Sequence, residues 1–588
     1  VPSAERDVTA GVFGEISGDG AHVVVIASGD DHEVKQAATA MRKMTPLFEG
    51  SKPPGALIGP LTWATVCQLG HTFSGNTLGR WVPGPRLTEW ITAELLRRAG
   101  AGQEEREPLK LPEGLEPRPY QDEAARMIGT GGKFLLFDDP GTGKTVSALL
   151  GLLERQARGH EIFPMVVVVP SWDVGDVWAR HAQAWAPAWP QPVMYGGKDR
   201  RLGWGGLAIT TYATARLDAA DVKGPLARLK AKSVIADEVH YAKNQSSLQS
   251  QALRRISQHA GTFLGLSGTP ITRDTGDIHP TLSAMDPLSW PDRKRMVKRY
   301  CMTTDGEYED KIEGLNPMME PEFRAVLMGQ YRRVAKADVL DQLPPKVYSV
   351  RRVEMPPEWR KAYDGMAAQM LADLPDGEEL EVMSVLAQLT RLSQLASSAC
   401  DVKVTVDYDP ETGEEKKHYE VTLKAPSWKV DALLEVLSER KGRQVVVFSV
   451  SRQLADIAGA ACQEAGYRCG YITGSQSKSA RKDDIDAFQA GKLDVMIATA
   501  GAGSLGITLT AAGTAVFLQR SWQLDQAIQA EDRLHRIGQE NDCVEIIDII
   551  ALATVDDRVR ELLRIKGGQL SQLIRDPRIA RELLGGLR

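Results

Sequence analysis

Three short stretches of this chain carry residues whose types and spacing could do phosphate chemistry. Asp138-Asp139-Pro140-Gly141-Thr142-Gly143-Lys144-Thr145 reads as a phosphate-holding loop. Gly141 and Gly143 let the backbone curl so that several amides point at one anion, beside a helix N-terminus that favours negative charge. Lys144 would neutralise the β and γ phosphates, and the Thr145 hydroxyl would hold Mg²⁺. The first glycine of the usual motif is absent, since Asp138 stands there. Downstream, Ser233-Val234-Ile235-Ala236 runs straight into Asp237-Glu238-Val239-His240. Paired acids at the end of a buried strand are costly unless a metal or water satisfies them. Their functional reading places Asp237 on Mg²⁺, directly or through water, and Glu238 behind the attacking water, with His240 in a coupling role. The competing reading is a helix N-cap cluster.

The third stretch is Gln529-Ala530-Glu531-Asp532-Arg533-Leu534-His535-Arg536-Ile537-Gly538-Gln539. The stretch is expected to be a helix, on which Gln529, Arg533 and Arg536 share one face. A planar guanidinium suits the charge that develops on a transferring phosphoryl group, and arginines in that role accelerate hydrolysis by about 10³–10⁵. An isolated basic helix would instead read as a solvated face paired with Glu531 and Asp532. A loop for a triphosphate and distant arginines able to reach it suggest two lobes closing on one nucleotide.

The elements that must position these residues follow from composition and periodicity. From about 120 to 270, short β-branched runs at 134–137, 165–169, 208–211, 233–236 and 262–266 alternate with helical stretches. That is the rhythm of a parallel sheet covered by helices on both faces. The rhythm returns at 445–448, 468–472, 495–498, 515–518 and 544–549, after a hairpin-like stretch at 402–423 that turns around Pro410-Glu411-Thr412-Gly413. Residues 280–345 read as helix-rich and charged. The first 110 residues form a small mixed segment, with a strand at 22–27 and helices at 31–44 and 85–99. A Gly/Glu/Pro-rich linker at 100–117 follows it. Trp63, Trp81 and Trp90 are expected in its core, since no basic cluster surrounds them.

Composition excludes several classes. With 588 residues, 43% hydrophobic and 25% charged, the chain sits in the ordinary globular range. No apolar run approaches the roughly 18 residues of a membrane span. No basic n-region followed by an apolar stretch opens the sequence, so a secretory signal is not expected. Six cysteines form no Cys-x-x-Cys pair and are expected to be reduced. A net charge of −6 means that any nucleic-acid contact must come from local patches. The expected compartment is the cytoplasm of a bacterium or phage-infected host.

Asp237-Glu238-Val239-His240, the following Ser267-Gly268-Thr269-Pro270 and the arginine stretch together resemble superfamily 2 helicase-related ATPases, and further segments resemble the Swi/Snf-type DNA translocases. Arg118-Pro119-Tyr120-Gln121 is similar to the family's adenine-reading segment, which implies a base contact for Gln121. Val166-Val167-Val168-Val169-Pro170 with Trp178 is similar to the next family motif, and Thr210-Thr211-Tyr212 to a DNA-contacting one. Arg332 to Leu340, running into Leu343-Pro344-Pro345-Lys346, resembles the stretch bridging the lobes. Ile472-Thr473-Gly474-Ser475 and Ala502-Gly503-Ser504-Leu505-Gly506 complete the second lobe, with Gly506 placed on the nucleotide. The resemblance covers about 118–566, roughly three quarters of the chain. The Gln529–Gln539 block and Arg299-Tyr300-Cys301 most resemble the annealing-helicase, fork-remodelling branch. Pro140 and Thr142 depart from the family's Met and Leu, Thr508 from a frequent Asn, and Gln519 and Gln523 from the Asp and Asn around Trp522.

The implied architecture is α/β, with two tandem RecA-like parallel-sheet lobes, helical insertions and a small N-terminal accessory domain. Its divisions are 1–110 for the accessory domain, 111–280 for lobe 1, 281–345 for the helical insertion and bridge, 346–565 for lobe 2, and 566–588 for a helical basic tail. The implied activity is ATP hydrolysis with Mg²⁺, driving tracking along double-stranded or forked DNA. DNA contacts are expected at Thr211, Thr473, Gly474, Ser475 and Thr499, mainly to phosphates. Ser267 and Thr269 would join the nucleotide site to that track, because hydroxyls can bond phosphate, carboxylate or backbone. Replication or repair proteins are further expected partners; no membrane and no obligate oligomer is implied. Three alternatives stay open: a strand-separating helicase, the motor subunit of a restriction or defence complex, and a non-enzymatic nucleotide-gated module.

Overall fold

The computed structural model describes residues 11–51, 56–74, 80–100, 107–196, 206–219, 224–268, 275–304, 311–340, 343–372, 382–408, 415–499, 507–521 and 524–566. The chain divides into two compact units, Val1–Val339 and Leu340–Arg588.

In the first unit, strands β1 (Gly11–Ile16), β2 (His22–Ser28), β3 (Glu49–Ser51), β4 (Ala56–Pro60) and β5 (Arg80–Pro83) form a sheet in the order β3-β4-β2-β1-β5. Its helix Asp31–Arg42 starts where Asp30 and Glu33 close a reciprocal capping box. Trp63 is buried, and Trp81 and Trp90 pack partly buried against the core of this segment, as expected from the lack of a basic cluster around them. This segment is fastened to the residues beyond 290. Trp63 Nε1 donates to Ala325 O at 2.8 Å, and Arg98 Nη1 donates to Met328 O at 2.9 Å. Arg299 forks onto buried Glu322 and also reaches Thr72, while Tyr300 donates its hydroxyl to the same Glu322. The Arg299-Tyr300-Cys301 stretch is thus a packing node inside the first unit.

The larger sheet of this unit contains β6 (Lys133–Leu136), β7 (Met165–Val169), β8 (Val193–Met194), β9 (Leu207–Thr211), β10 (Ser233–Ala236) and β11 (Thr262–Leu266). With Tyr331–Arg332 as β14, its order is β14-β6-β11-β10-β7-β9-β8, with parallel pairings throughout. Successive strand residues point to opposite faces, so each strand feeds two cores. Phe134, Leu136, Val167, Ile209, Ile235 and Leu264 fill one, and Leu135, Val166, Val168, Ala208, Val234 and Phe263 fill the other. Covering both faces explains the unbroken apolar run of β7.

Residues 281–345 hold the helices Arg293–Tyr300, Glu320–Val326 and Lys336–Val339, together with strand elements that the helical reading did not include. They include an antiparallel hairpin of β12 (Cys301–Thr304) and β13 (Lys311–Leu315), and β14 (Tyr331–Arg332), which joins the edge of the sheet beside β6. Two-residue β14 carries no readable period; it is held by backbone bonds from Leu135 N to Gln330 O and from Phe137 N to Arg332 O.

The second unit holds β15 (Lys346–Val353), the ten-pair hairpin of β16 (Ala399–Tyr408) and β17 (Glu415–Lys424), then β18 (Val445–Ser449), β19 (Cys469–Ile472), β20 (Val495–Thr499), β21 (Thr514–Phe517) and β22 (Val544–Ala551). Its main sheet runs β15-β22-β21-β18-β20-β19, all parallel. Alternation again splits it, with Val445, Val447, Ile497 and Val516 on one face and Val446, Phe448, Met496 and Phe517 on the other. The edge strand β15 is half polar and has no buried residue, which hides it from a hydrophobicity reading. A buried Lys429–Asp556 ion pair, with Lys429 Nζ also donating to Leu518 O at 2.8 Å, ties the helix Trp428–Glu439 to the end of β21 and to the helix Val555–Lys566. All six cysteines are free, and among the described residues no helix is long and apolar enough to cross a membrane. The turn at 410–413 and the tail beyond 566 lie outside the described residues.

Candidate active site

In the first unit, the functional side chains gather at the carboxyl ends of the parallel strands, where open α/β sheets place ligands. The phosphate-loop candidate follows β6, Ser267 follows β11 and Asp237 follows β10, so the three issue from consecutive strands of the sheet.

The loop curls through Gly141 (φ +86°) and Gly143 (φ +81°), and the helix Lys144–Ala157 begins immediately after. A Cβ on Gly143 would also sit 2.6 Å from Gln121 Nε2 and push that amide away from the loop. Tyr120 OH and Gln121 Nε2 both donate to Thr142 O, at 2.8 and 3.2 Å, and hold the crest of the loop. Gln121 Oε1 accepts from Arg118 N at 3.1 Å, which fixes the amide in place. Thr142 Oγ1 closes the curl on Asp139 O at 2.9 Å. Lys144 Nζ lies within the curl and donates to Asp138 O at 2.8 Å and Asp139 O at 3.3 Å. Its charge is held by main-chain dipoles, an arrangement that phosphate oxygens can replace. Pro140 packs against the strand next door: a Cβ on Gly268 would sit 2.6 Å from Pro140 Cγ.

The residue in place of the missing glycine has a definite job. Buried Asp138 forms an ion pair with Arg332 of β14, and its Oδ1 accepts from Val334 N at 3.0 Å. Arg332 Nη1 also donates to Tyr120 O at 2.5 Å. Asp139 is fixed likewise, its Oδ2 accepting from Lys336 N at 3.1 Å. Residues distant in sequence therefore clamp the loop from beneath. No local signal marks this role, because Arg332 and its neighbour Arg333 are alike in sequence.

Asp237 is buried, and both carboxylate oxygens accept hydrogen bonds: Oδ2 from Trp178 Nε1 at 2.8 Å, Oδ1 from Glu238 N at 3.0 Å. Burial is the largest influence on it and neighbouring Glu238 the next, and together they push its pKa up to about 6; Trp178 and Lys144 oppose them. A carboxylate raised by desolvation and facing a lysine fits a divalent cation, which would favour its charged form. Glu238 adopts a left-handed backbone, φ +47° and ψ +55°, at the start of the 3₁₀ turn Val239–Ala242. For a non-glycine residue that costs on the order of 1–3 kcal/mol and belongs to positions fixed by their surroundings. His240 Nδ1 lies 2.9 Å from Ser267 Oγ and 3.3 Å from Glu238 Oε2. Of the expected coupling residues, His240 and Ser267 are brought together beside Glu238, and Thr269 lies outside the described residues.

Thr211, at the end of β9, is buried, and its hydroxyl caps the helix Tyr212–Ala219, accepting from Thr214 N at 3.2 Å. In the second unit, Thr473, Gly474 and Ser475 follow β19 and Thr499 ends β20, so they share one end of that sheet. Gly474 and Ser475 are exposed, whereas Thr473 is buried, with Arg481 Nη2 donating to its carbonyl at 3.2 Å. Gly506 lies outside the described residues.

The arginine stretch corrects the sequence reading. The helix Leu524–Glu531 carries Gln529 and then stops, and Arg533 and Arg536 lie in the turns that follow. Arg533 N and Leu534 N bond to carbonyls three residues back, at 3.2 and 3.1 Å, tightening the coil. The Arg533 carbonyl is taken by Leu509 N at 2.9 Å, and Gly538, at φ +94°, completes the exit. A common helical face therefore does not align the three residues. Arg536 is instead aimed by Thr508, its Nη1 donating to Thr508 Oγ1 at 3.0 Å. Burial draws its pKa below the usual guanidinium value while Asp532 opposes that; it stays a cation at neutral pH.

Comparisons with known proteins agree with this architecture. Residues 120–400 match the SNF2-related domain and residues 428–538 the helicase conserved C-terminal domain, together about two thirds of the chain. The chain belongs to the Swi/Snf-type, superfamily 2 helicase-related proteins, and its two α/β units are the tandem RecA-like lobes of that family. It is 25% identical over 491 residues to the chromodomain-helicase-DNA-binding protein 3 homolog of Caenorhabditis elegans, covering 76% of this chain and 26% of that protein. It is 26% identical over 539 residues to the SWI/SNF-related matrix-associated actin-dependent regulator of chromatin subfamily A containing DEAD/H box 1 of Homo sapiens, covering 81% and 51%. Among solved structures, the Sulfolobus solfataricus SWI2/SNF2 ATPase core in complex with dsDNA aligns at a TM-score of 0.37 and 21% identity, over 82% of this chain and 96% of that one. The chain spans between about a quarter and a half of the length of the curated relatives it matches.

The clamp beneath the loop sets a test. Arg332→Ala leaves the buried Asp138 carboxylate uncompensated, at a cost of about 3–5 kcal/mol. A lowered melting temperature and weaker nucleotide binding are expected, whereas Arg333→Ala, on an exposed neighbour, leaves both unchanged. Equal behaviour of the two variants would refute the clamp.

Proposed function

We propose that this chain is an ATP-dependent DNA translocase, a helicase-like motor that tracks on double-stranded or forked DNA and remodels it. The observation that carries the reading is the convergence of Lys144, Asp237–Glu238 and Ser267 from three consecutive strand ends, in a chain with both family domains in order. Gly141, Thr142, Gly143 and Lys144 take the phosphates, and Gln121 reads the base from beside the loop. Thr145 and Asp237 hold Mg²⁺, which when bound supplies positive charge to the phosphate oxygens. Glu238 takes the proton of the attacking water, and the bond to Ser267 keeps His240 beside it. Arg533 and Arg536 neutralise charge on the phosphoryl group in transfer. Thr211, Thr473, Gly474, Ser475 and Thr499 line the DNA track; Thr211 acts through its backbone, since its hydroxyl is engaged in the cap. The double-stranded DNA bound in the Sulfolobus solfataricus structure supports duplex DNA as the partner.

ATP turnover measured against duplex, forked and single-stranded DNA and RNA tests the whole reading. DNA should stimulate wild-type turnover well above its basal rate, and Lys144→Ala should abolish it. Stimulation by RNA alone would overturn the proposal, and DNA-stimulated turnover in the variant would overturn the site. Arg536→Ala should retain nucleotide binding and lose about 10³-fold or more in hydrolysis; normal turnover would remove the arginine from the mechanism.

The raised Asp237 pKa makes metal binding pH-dependent. Burial and Glu238 hold the Asp237 pKa above the ordinary carboxylate value, and the cation favours the ionised form, so binding of Mg-nucleotide should release more protons at pH 6 than at pH 8. Calorimetry in buffers of different ionisation enthalpy reads this difference, and Asp237→Ala should erase it. A release independent of pH between 6 and 8 would count against the assignment.

A further inference from the structure

Tyr212 and Tyr241 have no part in the chemistry above, yet they connect two of its regions. Tyr212 follows Thr211 at the end of β9, and its side chain is buried. β7 lies between β9 and β10 in the sheet. The tyrosine nevertheless reaches across it, donating its hydroxyl to the main-chain carbonyl of Asp237 at 3.0 Å. That carbonyl belongs to the last position where β10 follows its neighbour, since Asp237 N still bonds to Val168 O at 2.9 Å. One residue later, Glu238 turns into its left-handed conformation. The Tyr212 hydroxyl thus fixes the peptide that joins the two carboxylate residues, just ahead of the strained one.

The opposite face of the assembly is open. The Tyr241 ring stacks on Tyr212, with centroids 5.7 Å apart and planes 15° from parallel, and it lies 5.2 Å from the His240 ring. Tyr241 is 49% exposed, so one ring of the stack meets solvent while the other is buried. Its backbone is tied to the same turn, Tyr241 N donating to Glu238 O at 2.9 Å. Movement of the exposed ring is therefore transmitted in two ways, through the stack to Tyr212 and through the 3₁₀ turn to Glu238.

We infer that the stacked Tyr212–Tyr241 pair is a positioning element that couples contact of DNA at the end of β9 to the placement of Glu238. This rests on the DNA-translocase reading. Tyr212 sets the Asp237–Glu238 peptide, and Tyr241 is the part of the pair that a DNA backbone beside Thr211 can press upon. Neither tyrosine touches the nucleotide, so substitution acts on turnover and on its response to DNA, not on ATP affinity.

Steady-state ATP turnover of the full chain, with and without duplex DNA, tests this with Tyr212→Phe, Tyr241→Ala and Tyr241→Phe. Tyr212→Phe keeps the stack and removes one neutral hydrogen bond; kcat should fall about fivefold at unchanged KM for ATP. Tyr241→Ala should collapse the ratio of DNA-stimulated to basal turnover, again at unchanged KM, and Tyr241→Phe, which keeps the ring, should restore it. A ratio equal to wild type in Tyr241→Ala, or kcat equal to wild type in Tyr212→Phe, overturns the inference. A change confined to KM overturns it too. If wild-type turnover does not respond to DNA at all, the translocase reading fails instead, and the two failures are told apart by that control.

Discussion

A strand packed on both faces can carry polar chemistry only where it ends. In the first lobe every residue of β7, β9, β10 and β11 is buried. A carboxylate in the middle of any of them would lose its hydration without gaining a partner. At the carboxyl ends the ladder stops, backbone groups become available, and side chains from adjacent strands converge. Asp237 shows how narrow the margin is. It is buried enough to resist ionisation, yet it has a Trp178 N–H, a main-chain N–H and a nearby lysine to make the charged form accessible.

The loop over β6 is subject to the same constraint in another form. A phosphate cradle needs left-handed glycines and free amides, which make a segment floppy unless something holds it. Here the holding comes from Asp138 and Arg332, from Asp139 and Lys336 N, and from Tyr120 and Gln121 gripping the crest. Asp138 in place of a glycine is consequently an anchor, and it ties the edge strand β14 to the phosphate-loop candidate. The N-terminal segment is drawn into the same body through Trp63, Arg98 and the Arg299–Glu322 node, which rest on the residues preceding β14.

In the second lobe the arginines are displayed by a loop geometry that a helix would not produce. The end of the helix Leu524–Glu531 is anchored by Lys346, Tyr348 and Arg520, which all bond to the Glu531 carboxylate, while Leu509 N takes the Arg533 carbonyl out of the helical pattern. Arg536 then takes its direction from Thr508, one of the residues by which this chain departs from its family's usual sequence. A hydroxyl there accepts from the guanidinium and leaves its other donors for an anionic group.

The sequence by itself determined the two tandem parallel sheets, the strand ends that carry the chemistry, the loop and the Asp237–Glu238 pair. Those features are local: runs of β-branched residues, glycines at fixed offsets from a lysine, and adjacent acids at the end of an apolar run each restrict the backbone within a few residues. The tertiary structure alone decided the rest. β14 and β15 are strands only because a neighbour offers them an edge, and their own residues carry no period. Arg332, Trp178 and Tyr212 gained their partners from strands and loops far away in the chain, and no spacing records such contacts. The arginine stretch has good helical spacing and still leaves the helix, because bonds from outside it outweigh a preference worth only tenths of a kcal/mol per residue.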